Sequence, residues 1–321
     1  MKKLTSLFLT FILIISLIGC SDKTGSSDTN EPINITMLKG PTGIGSVQLI
    51  EKNENGESEG RYDINISAAA DDAMAKIISG EADIAAVPTN IAPLLYNKTD
   101  GEVSVLAVNT LGVLYILENG NRINSIKDLE NKTVYASGQG AVPEYVLNYL
   151  LEANGVENVN IIYMSEHAET ASALADGRAD IALLPEPNAT AVMMKNSNVR
   201  IAVDINEQWR DSVESEMPMG CVVARNDFIS ENKEAVDLFL KEYKESIDYV
   251  NNNISDAAGL VEKYGIMASA EAAAKAIPNC NIVYKDGDEM KNMLEIFYDI
   301  LCNADPKSVG GEIPPSEFYY A

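Results

Sequence analysis

The sequence GEADIAAVP at residues 80–88 decides the fold, because it recurs as GRADIALLP at residues 177–185, 97 residues later. In each copy a glycine follows a helical pattern of small residues, four apolar residues follow the aspartate, and a proline opens a polar loop. The glycine is typical of a helix end and the apolar run of a buried strand. Each copy therefore predicts a helix, a strand, and a loop at the strand's carboxyl end.

Two copies of this pattern indicate two similar lobes. In open parallel sheets, ligands bind at the carboxyl ends of the strands, so we expect these ends to face one shared cleft. The alternative is two ordinary helix–strand units that share a local solution. A spacing of 97 residues is too long for a solenoid repeat.

The remaining sequence alternates strand-like and helix-like segments, which predicts an α/β fold with mostly parallel sheets. We place lobe I at residues 34–117 and 218–321, and lobe II at residues 118–217. The chain then crosses between lobes twice, near residues 117–121 and 217–220. We expect these two segments to act as a hinge, with Gly120 and Gly220 absorbing backbone changes.

The first 20 residues predict a bacterial lipoprotein signal peptide. Two lysines precede a short apolar run that ends Leu-Ile-Gly-Cys at Cys20. Lipid on Cys20 would anchor the protein to the outer side of the cell membrane. Residues 21–33 are polar and predict a flexible tether. The alternative is an ordinary signal peptide that is cleaved elsewhere.

The composition excludes several classes of function. The net charge of −24 argues against nucleic-acid partners. His167 is the only histidine, and we expect it on the solvated surface. No paired-cysteine motif, nucleophile elbow or phosphate-binding loop is present, so we expect no metal, no cofactor and no catalysis.

Four cysteines raise the question of a disulfide. With Cys20 lipidated, the remaining three are Cys221, Cys280 and Cys302, so at least one thiol is free or pairs between chains. Cys280 and Cys302 are the candidates for a bridge, because both lie in one carboxyl-terminal unit. Small buried thiols are the commoner role for sparse cysteines.

The predicted strand ends supply the candidate ligand-binding residues. Two of their loops open helices, whose N–H groups suit a carboxylate, sulfonate or phosphate. A carboxylate at Glu186 would instead take an ammonium or amide donor, which favours a zwitterionic ligand; a helix-capping role is the alternative. The candidate residues are Pro41, Thr42, Gly43, Thr89, Asn90, Thr110, Ser137, Gln139, Gly140, Ala141 and Glu186.

The ordered landmarks resemble bacterial ABC-transporter substrate-binding lipoproteins of the group associated with nitrate, sulfonates and thiamine-pyrimidine precursors. The landmarks are KGPTG at residues 39–43, the repeated phrase, SIKDLENKTV at residues 125–134, and LPEP at residues 184–187. The resemblance covers nearly the whole chain after the tether. It implies a type II periplasmic-binding-protein fold, a small-molecule ligand, an ABC permease as partner, and a monomer that acts outside the cytoplasm.

Two other functions share this fold. Some menaquinone-pathway enzymes have it, but those enzymes are cytoplasmic, and the predicted signal peptide argues against that reading. A sensory binding protein is the third option, although no output domain is attached. The sequence also departs from the family, because Pro185 stands before Glu186 where relatives often carry an aromatic residue. The ligand therefore stays open between anionic and zwitterionic molecules.

Overall fold

The computed structural model describes residues 31–320, which contain eleven strands, thirteen α-helices and four short 3₁₀ helices. The predicted signal peptide, Cys20 and most of the tether lie outside the described residues. The strands are β1 Ile33–Leu38, β2 Tyr62–Ser67, β3 Ile84–Pro88, β4 Val103–Thr110, β5 Leu114–Asn119, β6 Thr133–Ser137, β7 Asn160–Met164, β8 Ile181–Pro185, β9 Val199–Asp204, β10 Gly220–Arg225 and β11 Ile282–Lys285.

The helices alternate with the strands as the sequence predicts. They are α1 Pro41–Ile44, α2 Val47–Glu54, α3 Ala70–Ser79, α4 Ile91–Lys98, α5 Val142–Ala153, α6 His167–Ala175, α7 Asn188–Lys195, α8 Ile205–Val213, α9 Asn226–Glu231, α10 Lys233–Asn252, α11 Ile254–Lys263, α12 Ala270–Ala276 and α13 Gly287–Ala304. The 3₁₀ helices are Ile126–Leu129, Ile277–Asn279, Pro306–Val309 and Ser316–Phe318.

The repeated phrase forms the same unit in both copies. Gly80 ends α3 with a φ of 77°, and Gly177 follows α6 with a φ of 74°, a left-handed conformation that favours glycine. The strands that follow, β3 and β8, are buried at four of their five residues. The prediction of a helix, a glycine stop and a buried strand is confirmed in both copies.

The two copies lie in two separate sheets of matching order. The first sheet has the order β11-β4-β10-β3-β1-β2, and the second has β7-β6-β8-β5-β9. In each sheet the repeated strand, β3 or β8, lies between an antiparallel neighbour and a parallel one. The α/β, two-lobed fold predicted from the repeat is therefore confirmed.

The prediction of mostly parallel sheets needs a correction. Four strands of each sheet run in one direction, but β10 and β11 oppose the others in the first sheet and β5 does so in the second, so both sheets are mixed. For β5 and β10 the physical reason is the crossing of the chain between sheets, whereas β11 follows helices of its own lobe. A strand that enters from the opposite lobe begins at the edge where the carboxyl ends of the other strands lie. It is therefore antiparallel to them.

The first crossing occurs earlier than the sequence suggests. β4 ends at Thr110 in the first sheet, and Leu114 already pairs with Pro185 in the second. The change of sheet thus falls at residues 111–113 rather than near residues 117–121. Gly120 lies at the far end of β5 and is not at a crossing. The return falls between Val213 and Gly220, which includes the predicted segment.

An apolar core continues from one lobe to the other. Trp209 of α8 is fully buried, with its ring centroid 5.4 Å from that of Tyr149 on α5 and 5.6 Å from that of Phe297 on α13. Since α13 also packs on β4, this carboxyl-terminal helix joins both lobes without a covalent crossing. We propose lobe boundaries at residues 111–113 and 214–219.

Candidate ligand-binding site

The strand ends of the two sheets meet where the chain crosses. In lobe I, Gly220 pairs with both Pro88 and Thr110, which brings the ends of β3 and β4 together. In lobe II, Leu114 pairs with Pro185 at the end of β8. Both carboxyl-terminal edges therefore border the crossing at residues 111–113. This meeting of strand ends is what the repeat predicts.

The loop after β1 approaches the start of β10 closely. Gly43 has no room for a side chain, because a methyl group there would lie 1.8 Å from the Leu38 carbonyl oxygen. The Thr42 carbonyl accepts a hydrogen bond from Asn109 Nδ2 at 3.3 Å, and the Thr42 methyl group lies against Gly220. The structure therefore brings Thr42 to the end of β4, as part of the lobe I edge. Pro41 provides the first residue of α1.

Two of the predicted threonines use their hydroxyls inside the protein. Thr89 is buried and donates from Oγ1 to the Pro218 carbonyl at 2.7 Å. Thr110 is also buried and donates to Asn109 Oδ1 at 3.1 Å. These side chains hold the return segment and the end of β4. They support the lobe I edge rather than presenting a hydroxyl to a ligand.

Asn90 differs from these threonines. It is half-buried at the start of α4, and its side chain makes no capping hydrogen bond. No hydrogen bond of its amide joins it to another residue within 31–320. The Asn90 side chain therefore keeps its donors and its acceptor available for a ligand.

The loop after β6 is less open to an anion than its glycines suggest. Gln139 and Gly140 are exposed, but the Gly140 N–H donates to Glu144 Oε2 at 2.5 Å. The Ala141 N–H donates to the Gly138 carbonyl. The prediction of free N–H groups at the start of α5 is therefore wrong for Gly140 and Ala141, because a carboxylate from the first turn of the helix and a turn carbonyl already accept them.

His167 is not the solvated surface residue expected from its polar neighbours. It is half-buried, and its Nδ1 lies 2.5 Å from Oγ of the buried Ser137. Burial lowers the pKa of the His167 imidazole, which favours the neutral form of the ring. The contact arises because β6 and β7 are parallel neighbours, with Ser137 opposite Met164, so the ends of both strands share one edge. Sequence reasoning missed this residue.

Glu186 is buried, and both of its carboxylate oxygens accept hydrogen bonds from other residues of the protein. One carboxylate oxygen accepts from the Thr190 N–H at 3.1 Å, and the other accepts from Thr190 Oγ1 at 2.9 Å and Asn279 Nδ2 at 3.2 Å. Burial raises the pKa of the Glu186 carboxyl. Of the two roles considered for this residue, the helix-capping role at α7 is the one that the contacts favour.

The segment around Asn279 contacts lobe II beside Glu186. The Tyr115 hydroxyl of β5 donates to the Asn279 carbonyl at 2.7 Å, on the same residue that binds Glu186. Cys280 follows directly; it is buried and has a free thiol, as do Cys221 and Cys302. The Cys280–Cys302 bridge considered from the sequence is therefore not formed. Asn279 is a second residue that the sequence did not single out.

The described residues show neither metal-site nor membrane-span geometry. Within residues 31–320, no three histidine, cysteine, aspartate or glutamate side chains are grouped to hold a metal ion. In the same range no helix is long and apolar enough to cross a membrane. The Ser137–His167 pair also lacks a carboxylate on the second ring nitrogen within this range, so it does not form a catalytic triad.

Known proteins share this fold over nearly its whole length. An ABC transporter structure from Parabacteroides distasonis is 23% identical with a TM-score of 0.78, covering 90% of this chain and 99% of that chain. The periplasmic aliphatic sulphonate binding protein SsuA from Escherichia coli is 16% identical with a TM-score of 0.69, covering 91% of this chain and 92% of that chain.

A nitrate-binding protein has the same architecture at a lower similarity. NrtA from Synechocystis PCC 6803 is 15% identical with a TM-score of 0.59, and the match covers 89% of this chain and 83% of that chain. No curated protein matches the sequence. The family model described as NMT1/THI5 like matches residues 59–257, which is more than half of the sequence. The fold is that of periplasmic binding proteins, and the chain belongs to the NMT1/THI5-like family.

Proposed function

We propose that this protein is a solute-binding lipoprotein that captures a small molecule outside the cytoplasm and delivers it to an ABC importer. The observation that carries the proposal is the meeting of two strand-end edges at residues 111–113. A ligand between these edges contacts both lobes at once. Within residues 31–320 two covalent crossings join the lobes, so a ligand that contacts both stabilises their closed arrangement.

The similar structures support transport over catalysis. Their names describe an ABC transporter, a sulphonate-binding protein and a nitrate-binding protein. An enzyme needs reacting groups in the cleft, and the one close Ser–His pair lacks the third group that orients a catalytic imidazole. We therefore propose binding and release, with the permease as partner and no chemical step on the ligand.

The proposed ligand contacts lie on both lobes, at edges that differ in their polar groups. On lobe I they are Pro41, Thr42 and Gly43 beside Asn90, supported by Thr89 and Thr110. On lobe II they are Gln139, Gly140 and Ala141 of the loop after β6, together with Ser137, which is buried at the end of that strand. Glu186 keeps a supporting role through α7 and Asn279. Among anionic and zwitterionic ligands, the capped start of α5 makes a purely anionic one less well matched to lobe II.

Membrane attachment through Cys20 is the second part of the proposal. A Cys20→Ser variant loses the lipid acceptor, so we expect the protein to move from the membrane fraction to the soluble extracytoplasmic fraction. A Ser21→Ala variant, one position later, is the matched control and stays with the membrane. If Cys20→Ser remains in the membrane fraction, the lipid anchor is wrong.

Capture of a ligand from a mixture tests the central activity. The purified protein is incubated with a small-molecule extract of bacterial cells, washed by gel filtration and denatured, and the released compounds are identified by mass spectrometry. We expect one compound or one chemical series near one equivalent per chain. Release of nothing above the level of a heat-denatured control contradicts a solute-binding function.

A further inference from the structure

The fold places the Ser137–His167 pair at the edge of the proposed cleft. One imidazole nitrogen of His167 contacts Ser137, and the other makes no hydrogen bond to a described residue. Ser137 is the last residue of β6, and His167 is the first of α6, directly after the end of β7. β6 is parallel to β8, whose end meets the crossing to lobe I, so the pair lies on the same edge. Its position on the cleft edge follows from the strand pairing alone.

The imidazole has one nitrogen engaged and one available. Nδ1 contacts Ser137 Oγ, and no residue within the described range hydrogen-bonds to Nε2. His167 is only half-buried, and Nε2 is not among the buried polar atoms without a partner, so this atom is accessible. Since burial favours the neutral form of the ring, Nε2 offers one hydrogen bond without a charge.

The surroundings of the pair are unsuited to a bare oxyanion. Carboxylates at the starts of three lobe II helices accept hydrogen bonds from nearby backbone N–H groups: Glu144 from Gly140 N, Glu169 from Ser165 N at 3.1 Å, and the N-cap Asp204 from Asn206 N at 2.8 Å. The strand-end segments 137–142, 164–168, 185–188 and 204–207 contain neither lysine nor arginine. An oxyanion there would meet acids without a compensating cation.

We propose that His167 carries its proton on Nδ1 and donates it to Ser137 Oγ, which leaves Nε2 as an acceptor. Nε2 then accepts a hydrogen bond from a nitrogen-bearing group of the ligand, neutral or positively charged, and does not receive an oxyanion. A zwitterion satisfies this condition if its nitrogen faces lobe II. The inference rests on the proposed function, because it assigns one end of the ligand in the same cleft. It also identifies His167 as a specificity residue that determines which end of the ligand lobe II receives.

Matched compounds test the class of ligand. Equilibrium dialysis compares taurine with ethanesulfonate, β-alanine with propionate, and benzamide with benzoate, alongside nitrate and sulfate. In each pair the first member carries nitrogen that the second lacks. We expect the nitrogen-bearing member of at least one pair to bind about tenfold more tightly, the effect of one well-placed hydrogen bond. Equal or tighter binding of the oxyanions, or binding of no pair member, overturns the assignment.

Two substitutions separate ligand contact from structural support. His167→Asn places an amide near the position of Nδ1 and keeps the Ser137 contact, whereas His167→Gln places an amide near Nε2. We expect His167→Asn to weaken binding of the preferred probe about tenfold and His167→Gln to stay within about threefold of the unmodified protein. Unchanged binding by His167→Asn, with loss in His167→Gln, would show that the histidine only holds Ser137.

The outcomes also distinguish this inference from the proposed function. If the protein captures a compound from the cell extract but the dialysis series favours oxyanions, the solute-binding function stands and the assignment of His167 fails. If the extract yields nothing, the proposed function fails first. Urea unfolding of both variants confirms that the binding differences come from folded protein.

Discussion

The two edges of the cleft use the same strand arrangement with different polar chemistry. On lobe I, uncharged side chains at the strand ends bind backbone carbonyls and each other, as Thr89 does with Pro218 and Thr110 with Asn109. On lobe II, carboxylates accept from backbone N–H groups around the helix starts, as Glu144 does from Gly140 and Glu186 from Thr190. A repeated sequence therefore fixes the position of the strands without fixing what their ends offer to a ligand.

This difference has a consequence for ligand orientation. An acceptor group of the ligand meets donors on lobe I, where the Asn90 amide has no partner within residues 31–320. A donor group meets lobe II, where carboxylates and a neutral imidazole predominate. The proposed cleft is therefore polar along the line between the lobes.

The largest effect is expected at Gly43 on the lobe I edge. A methyl group in Gly43→Ala would lie 1.8 Å from a backbone oxygen, which cannot move without disturbing β1. We expect a loss of about 3 kcal/mol in the free energy of unfolding, at the upper end for overpacking. Urea denaturation measures this loss.

Gly259 provides the matched control for Gly43→Ala. It lies in α11, and a methyl group there meets no atom within 4 Å. Gly259→Ala should leave stability unchanged or raise it by up to about 1 kcal/mol, because alanine favours a helix. Similar stabilities for both variants would show that the fold does not depend on the close approach of Gly43 to the Leu38 carbonyl.

The next effect is expected at Glu186 on the lobe II edge. Glu186→Ala leaves the Thr190 N–H and the Asn279 amide without their acceptor, so we expect a loss of about 2 kcal/mol in the free energy of unfolding. Glu186→Gln keeps one acceptor oxygen and should lose less. If the two variants are equally stable, the carboxylate is not the cap of α7.

The same carboxyl predicts a pH dependence. Burial raises the pKa of Glu186 in the folded state, so the folded protein holds this proton more tightly than the unfolded chain does. Its contribution to stability is complete below the ordinary glutamate pKa and is lost as the pH rises through the raised value. The stability of Glu186→Gln relative to the unmodified protein should therefore increase as the pH rises through that window. A difference independent of pH contradicts the raised pKa.

A smaller effect is expected at Asn90, which tests the lobe I side of the comparison. Asn90→Ala removes an amide that no described residue uses, so stability should change by less than about 0.5 kcal/mol. Affinity for the compound captured from the cell extract should fall about tenfold if the amide contacts it. Isothermal titration measures the affinity, and Asn97→Ala on the same helix is the control. Equal affinities would remove Asn90 from the site.

The sequence predicted the fold well because local signals repeat. Gly80 and Gly177 end helices, and the apolar runs after them are buried strands in equivalent places. The first crossing was misplaced because only Asn109, Thr110 and Gly112 interrupt a long apolar stretch, and no local signal shows where the chain changes sheet. The opposing direction of β5 is likewise a property of tertiary structure.

The site was less predictable because its decisive contacts join distant residues. His167 lies among polar residues that suggest a solvated surface, and its partner Ser137 is 30 residues away. Glu186 was identified, but its commitment to Asn279, 93 residues further along, is visible only in the folded chain. Free backbone N–H groups at a helix start also cannot be read from glycines alone, since Glu144 occupies the one at Gly140.

The most direct test of the central claim is small-angle X-ray scattering of the protein with and without the compound captured from the extract. A solute-binding protein with two lobes and two crossings should become more compact at saturation, because only the closed form contacts the ligand from both edges. We predict a smaller radius of gyration with ligand, at unchanged molecular mass. An unchanged radius of gyration at full occupancy would contradict closure of the two lobes around a ligand.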